Sequence, residues 1–106
     1  MNIKEQIANR QKANLAIADM LEGTVLNAKY GISAELRRLA EEFPQQRCGQ
    51  LITNYIVPEY RFEPSNKSRD ILNQLFPGNP DPFYEESVET LERIKCTDHI
   101  YSFKNN

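Results

Sequence analysis

Apolar residues recur every three or four positions along most of this chain, the spacing that collects them on one side of an α-helix. Over residues 2 to 22, Ile3, Ile7, Ile17, Ala18 and Leu21 fall in one sector at about 100° per residue, and Gly23 offers a stop. Arg10 and Asn14 interrupt the middle of that stripe. The first expectation for Arg10 is a stem laid along the surface with its head in water. The sharper one is a helix that meets a second copy or a partner through mixed polar and apolar contacts. Thr24 to Lys29 can continue the helix past Gly23, at a cost of about 1 kcal/mol for the glycine. Tyr30-Gly31 then breaks it.

A second helix is expected behind Ser33, whose hydroxyl can accept from the free amides of a first turn. Leu36, Leu39, Ala40 and Phe43 form its apolar seam, while Arg37 with Glu41 and Arg38 with Glu42 are spaced four apart on a solvated face. Pro44 disfavours helical geometry at Phe43 and is itself tolerated in a first turn, so it is expected to end one helix and begin the next. On that third helix, running to Val57 ahead of Pro58, Cys48, Leu51, Ile52 and Tyr55 share a face bound for the core. Arg47, Gln50 and Asn54 make a polar stripe beside it. Gly49 and Thr53 lie opposite, where the lack of bulk lets another backbone come close.

Glu59 to Pro64 reads as an extended connection that carries Tyr60 or Phe62 to the core. Ser65, Asn66 or Ser68 can then cap a short helix bearing Ile71, Leu72, Leu75 and Phe76. Pro77-Gly78-Asn79-Pro80-Asp81-Pro82 has three prolines in six residues and is expected to be a stiff loop. For the last helix two starts fit equally: Asp81 as cap with Pro82 in the first position, or a turn through Phe83-Tyr84 with Ser87 as cap. Tyr84, Val88, Leu91 and Ile94 share one face of it, and Glu85, Glu86, Glu89 and Glu92 crowd the other. Four carboxylates early in a helix suit its dipole and repel one another. Residues 97 to 106 read as a partly ordered tail in which Ile100, Tyr101 and Phe103 can dock. The pattern therefore predicts an all-α fold, a single small domain over residues 1–106 with four to five short helices and a proline-rich loop before the last.

Composition narrows the class. A chain of 106 residues can bury one core without staples. Its 40% hydrophobic and 26% charged content is that of a globular protein, not of a disordered tail. Thirteen Lys and Arg against 15 Asp and Glu leave a net charge of -2, which gives no general attraction to nucleic acid or an anionic membrane. Residues 62 to 106 carry five bases and eight acids, so the negative balance sits in the second half. Cys48 and Cys96 lack the paired spacing of a zinc site or a redox motif and are expected to be reduced, buried thiols. The N-terminus holds no apolar stretch of signal-peptide length, and no run is long enough to span a bilayer. The expected location is the cytoplasm.

No enzyme is expected. His99 is the only histidine, falls in the tail and has no metal partner at helical spacing. The glutamates from Glu85 to Glu92 lack a loop of regular oxygen ligands. A glycine-rich phosphate loop, a nucleophile elbow and paired catalytic carboxylates cannot be picked out, so no catalytic, metal or cofactor residues are assigned. A basic stripe of Lys4, Arg10 and Lys12 with Arg37 and Arg38 is diluted by acids. Arg47 is the exception, because its fork of donors matches a carboxylate and Asp81, Glu85 and Glu86 flank the second apolar anchor. One expectation is a structural ion pair that sets how the third and last helices meet. The other is a partly open polar cluster of Arg47, Gln50, Asn54, Asp81, Tyr84, Glu85 and Glu86 that receives a peptide, a subunit or a polar ligand.

The run Pro44-Gln45-Gln46-Arg47-Cys48-Gly49-Gln50-Leu51, with Asp81-Pro82-Phe83-Tyr84-Glu85-Glu86 after it, resembles a pattern in short uncharacterised bacterial and phage-associated proteins. In those an aromatic usually stands where Cys48 stands. The resemblance implies a shared small domain found near mobile genetic elements, and no activity. The function expected is a non-catalytic accessory or protein-interaction module, with a protein partner or self-association. The alternatives are a small ligand-binding protein or enzyme with its site between the Arg47 stripe and the Asp81 to Glu86 turn, and a nucleic-acid-binding regulator.

Overall fold

The computed structural model describes residues 2–60 and 67–96, all helices, turns and loops. Helix α1 (Ile3–Leu21) is capped by Asn2, whose side-chain oxygen accepts from the Glu5 N–H at 2.8 Å. It does not continue through Gly23. That glycine takes a φ of 77°, open to it because it has no Cβ, and Thr24 starts a separate helix α2 (Val25–Tyr30) by accepting from the Asn27 N–H. Helix α3 (Ile32–Glu42) follows after Gly31. Ser33 is not its cap but a buried residue of its first turn, donating to the Ala18 carbonyl at 2.6 Å. Asn27 of α2 caps in its place, accepting from the Ser33 N–H at 2.8 Å. Arg37 reaches Asp19 and Glu22, at 2.7 Å each, and so ties α3 to the end of α1. Arg38 keeps its expected partner Glu42, at 2.8 Å, and adds Glu35.

The helix expected from Pro44 starts four residues later. Phe43 to Gln46 form a turn closed by Gln46 N–H on the Phe43 carbonyl, and α4 (Cys48–Leu51) begins with Arg47 at its cap. The cause is tertiary. A helix running from Pro44 would turn the Gln45 and Gln46 carbonyls onto its own amides four residues on. Instead Arg10 donates to the Gln45 carbonyl at 2.7 Å and Asn14 to the Gln46 carbonyl at 2.9 Å, so α1 holds the turn open. The chain continues as a wider π-helical turn (Ile52–Ile56) and a tighter 3-10 turn (Val57–Tyr60) that contains Pro58.

Helix α5 (Lys67–Leu75) carries Ile71 and Leu75 into the core, as its pattern predicts. Ser68 lies inside it and donates to the Val57 carbonyl at 3.3 Å. Ser65, Asn66 and the Phe62 contact fall outside the described residues, as do the Tyr60 and Cys96 side chains and residues 97 to 106 with His99, Ile100, Tyr101 and Phe103. After the proline-rich loop, a 3-10 turn (Pro82–Tyr84) leads into α6 (Ser87–Cys96). Helix α1 packs along α3 on one side and α6 on the other, over a core of Ile17, Leu21, Leu36, Leu39, Leu51, Ile52 and their neighbours. Cys48 is a buried free thiol, its pKa pushed up to about 12 by burial and by the charge of Glu85.

Helix α6 is rotated so that only part of its apolar face, Ile94 and one side of Leu91, reaches the core. Tyr84 is 71% exposed and Val88 45%, while Ser87, Thr90 and Ile94 point into the core. The two hydroxyls hold that orientation: Ser87 accepts from the Cys48 N–H at 2.9 Å, and Thr90 donates to Glu85. Ser87 thus caps α4 rather than its own helix.

Candidate functional site

Arg47 is positioned from both ends. The Gln50 side chain accepts from its backbone N–H at 2.7 Å, fixing it as the α4 cap, and its Nε donates to Glu86 at 3.1 Å. Gly49 brings the 3-10 turn into register with α4. A Cβ there would lie 2.7 Å from the Pro82 carbonyl carbon, so the backbone of the acidic turn rests directly on the helix. The approach expected from the missing side chain is real, and it leaves no room for a ligand between Gly49 and Pro82.

Glu86 also meets Arg10, through Nε at 2.7 Å and Nη2 at 3.1 Å. The head of Arg10 is therefore not in water: its side chain is 15% exposed and it serves an intramolecular network. The guanidiniums lower the Glu86 pKa below its ordinary 4.5, Arg10 first and Arg47 after it, with burial opposing. Glu85 points the other way. Burial works against its charge, but Arg93 at 2.7 Å, Thr90 and Asn79 at 3.1 Å outweigh burial and lower its pKa as well. Neither of these carboxylates belongs to the solvated row expected; Glu89 and Glu92 do.

Of the polar cluster named from sequence, Arg47 and Glu86 meet directly and Gln50 braces them. Asn54 donates to the Gln46 side chain at 3.3 Å and supports the turn. Asp81 and Tyr84 are exposed and stand outside the cluster. The residues missed are on α1. Arg10 closes the network, and Asn14 is fully buried with its Oδ1 lacking a partner among the described residues. Both were visible as polar interruptions of an apolar stripe, the one signal that could have found them.

The arrangement leaves two adjoining hollows. A cavity of about 360 Å³ is lined by Gln6, Asn9, Arg10, Arg47, Glu86 and Val88. Beside it, sharing Asn9 and Val88, a groove of about 480 Å³ runs between α1 and α6 over Ala13, Ala16 and Leu91, with Lys12 and Lys95 on its rims. Among the described residues no cluster of three or more His, Cys, Asp or Glu could hold a metal ion, and no helix is long and apolar enough to cross a membrane. The chain matches no protein family, curated protein or solved structure with which it was compared.

Proposed function

We propose that the protein is a non-catalytic association module that receives an acidic amphipathic helix of a partner protein in the groove between α1 and α6. One observation carries the reading: α6 buries Ser87 and Thr90 and leaves Val88 exposed and Leu91 half-buried, beside the half-buried Ala16 and over the buried Ala13. Apolar side chains left at such a seam are the floor that an i, i+3, i+4 stripe of a docked helix covers, and the small alanines let its backbone come close. Charge supports the choice of occupant. The chain has a net charge of -2, yet the rims are Lys12, without an ion-pair partner among the described residues, and Lys95, 3.9 Å from Glu92. An accessory role in the cytoplasm, near mobile genetic elements, suits the bacterial and phage-associated proteins that the Pro44 to Leu51 and Asp81 to Glu86 motifs resemble.

The test uses two designed helical peptides with the same apolar stripe, one with acidic and one with basic flanks, titrated by fluorescence anisotropy. The acidic peptide is expected to bind and to weaken as salt rises. Lys12→Glu with Lys95→Glu should exchange the preference, and Val88→Asp should abolish it. Equal binding of both peptides, or of neither, overturns the reading. So does a DNA duplex that binds more tightly than the acidic peptide, which would assign the lysines to nucleic acid.

A further inference from the structure

We propose that the cavity between α1 and the Arg47 turn is a binding site for a carboxylate, which the two terminal nitrogens of Arg47 grip end-on with the Gln6 carboxamide beside them. Three observations converge on that chemistry. The first is charge. Arg10 and Arg47 share the single carboxylate of Glu86, so the cavity keeps one positive charge more than it neutralises.

The second is the donor count. Arg10 spends all three of its nitrogens, Nε and Nη2 on Glu86 and Nη1 on the Gln45 carbonyl. Arg47 spends only Nε, and its Nη1 and Nη2 have no acceptor among the described residues. The free edge of a guanidinium presents two parallel N–H groups, the spacing of the two oxygens of a carboxylate. The third is rigidity. Gln50 fixes the Arg47 backbone and Glu86 fixes its Nε, while the side chain stays 30% exposed at the cavity wall. A fork already held in place loses little freedom on binding, which is what makes a single arginine useful as a receptor.

Glu86 decides between anions. A ligand on the outer edge of Arg47 lies near the Glu86 charge, so a monoanion matches the one spare positive charge and the dianion of inorganic phosphate does not. The exposed Val88 adds an apolar wall, which favours a carboxylate carried on a small apolar body. The carboxylate of a free organic acid and that of a peptide terminus offer the same chemistry. This site stands whether or not the neighbouring groove takes a helix.

The experiment titrates the folded full chain, in mildly alkaline buffer where inorganic phosphate is the dianion, with acetate, inorganic phosphate, and an acetylated apolar tripeptide with a free or an amidated C-terminus. Binding is read from the NMR signals of the Gln6 carboxamide and the backbone N–H of residue 47, which every variant keeps, against a sodium chloride control. Acetate should shift those signals saturably and phosphate less. Arg47→Lys should weaken binding about tenfold while the protein stays folded, because lysine keeps the charge and loses the fork. Glu86→Gln should tighten it, because the competing charge is gone. A free-terminus peptide that binds more tightly than acetate identifies a protein ligand, and equal affinities identify a small acid. No shift beyond the chloride control, tighter binding of phosphate, or a Glu86→Gln protein that binds acetate no better would overturn the proposal.

Discussion

Gly49 shows helix propensity and packing pulling in opposite directions. Alanine is worth about 1 kcal/mol more than glycine inside a helix. Yet a Cβ at this position would press on the Pro82 carbonyl group and stand 3.3 Å from the Phe83 nitrogen, and backbone cannot rotate aside as a side chain can. Gly49→Ala is therefore expected to lower stability by about 1 to 3 kcal/mol, the cost of forcing bulk into a packed contact, despite the local gain. Urea denaturation checks it, and an unchanged or raised midpoint would mean that the Pro82 turn does not seat there. This approach was legible from sequence, because a glycine opposite a core face has few other reasons to sit in a helix. The ion pair of Arg47 with the acidic turn was legible too, since a fork of donors and nearby carboxylates limit each other's choices. Arg10 was not. Periodicity says where on α1 it sits, but its partner Glu86 is 76 residues further on, and no local rule names what stands across a helix face.

The orientation of α6 is a contest between greasy and hydrogen-bonding faces that the greasy one loses. Turning Val88 and Leu91 inward would gain at most part of the roughly 1.5 to 3 kcal/mol that a buried aliphatic side chain contributes, since Leu91 is already partly buried. It would strand the first amide of α4, which Ser87 satisfies inside the core, at a cost of about 1 to 3 kcal/mol, and would free Thr90 from Glu85. Ser87→Ala is thus expected to destabilise by about 1 to 3 kcal/mol, because the Cys48 N–H stays buried without an acceptor. Val88→Ser should stay within about 0.5 kcal/mol as a surface change. Thermal unfolding of the two variants checks the ranking, and a larger loss at Val88 would mean that the apolar stripe faces the core after all. The seams of α3 and α5 follow from periodicity alone, since Leu36, Leu39, Ile71 and Leu75 meet other apolar faces. Periodicity places Ile94 of α6 but not Val88, and it misses the Pro44 turn, where side chains from α1 take backbone groups that local rules assign to the helix itself.

Two adjacent carboxylates join the halves of the molecule. Glu86 ties the start of α6 to α1 and to the turn before α4 through Arg10 and Arg47. Glu85 ties the loop after α5 to α6 through Asn79 and Arg93, and Arg93 also donates to the Leu75 carbonyl at 2.7 Å and stands over the Phe76 ring. Both carboxylates have a folded-state pKa below the ordinary 4.5. Below that value the unfolded chain takes up protons that the folded chain refuses, so protonation favours unfolding. The stabilisation is whole above the unfolded pKa and is lost as pH falls through the folded one. Stability should hold from neutral pH to about pH 5 and then fall. The two sites should respond differently to salt, because the Glu85 side chain is 9% exposed and the Glu86 side chain 37%. Screening acts on the open pair, so added salt should weaken the Glu86 contribution and leave that of Glu85 nearly intact. Urea unfolding across an acid series, at low and high salt, measures both effects in the parent chain and in Glu85→Gln and Glu86→Gln. Each variant should start less stable at neutral pH and lose less on acidification, and salt should narrow the gap between parent and variant only for Glu86→Gln. An acid limb as steep in both variants as in the parent would mean that other carboxylates hold the halves together.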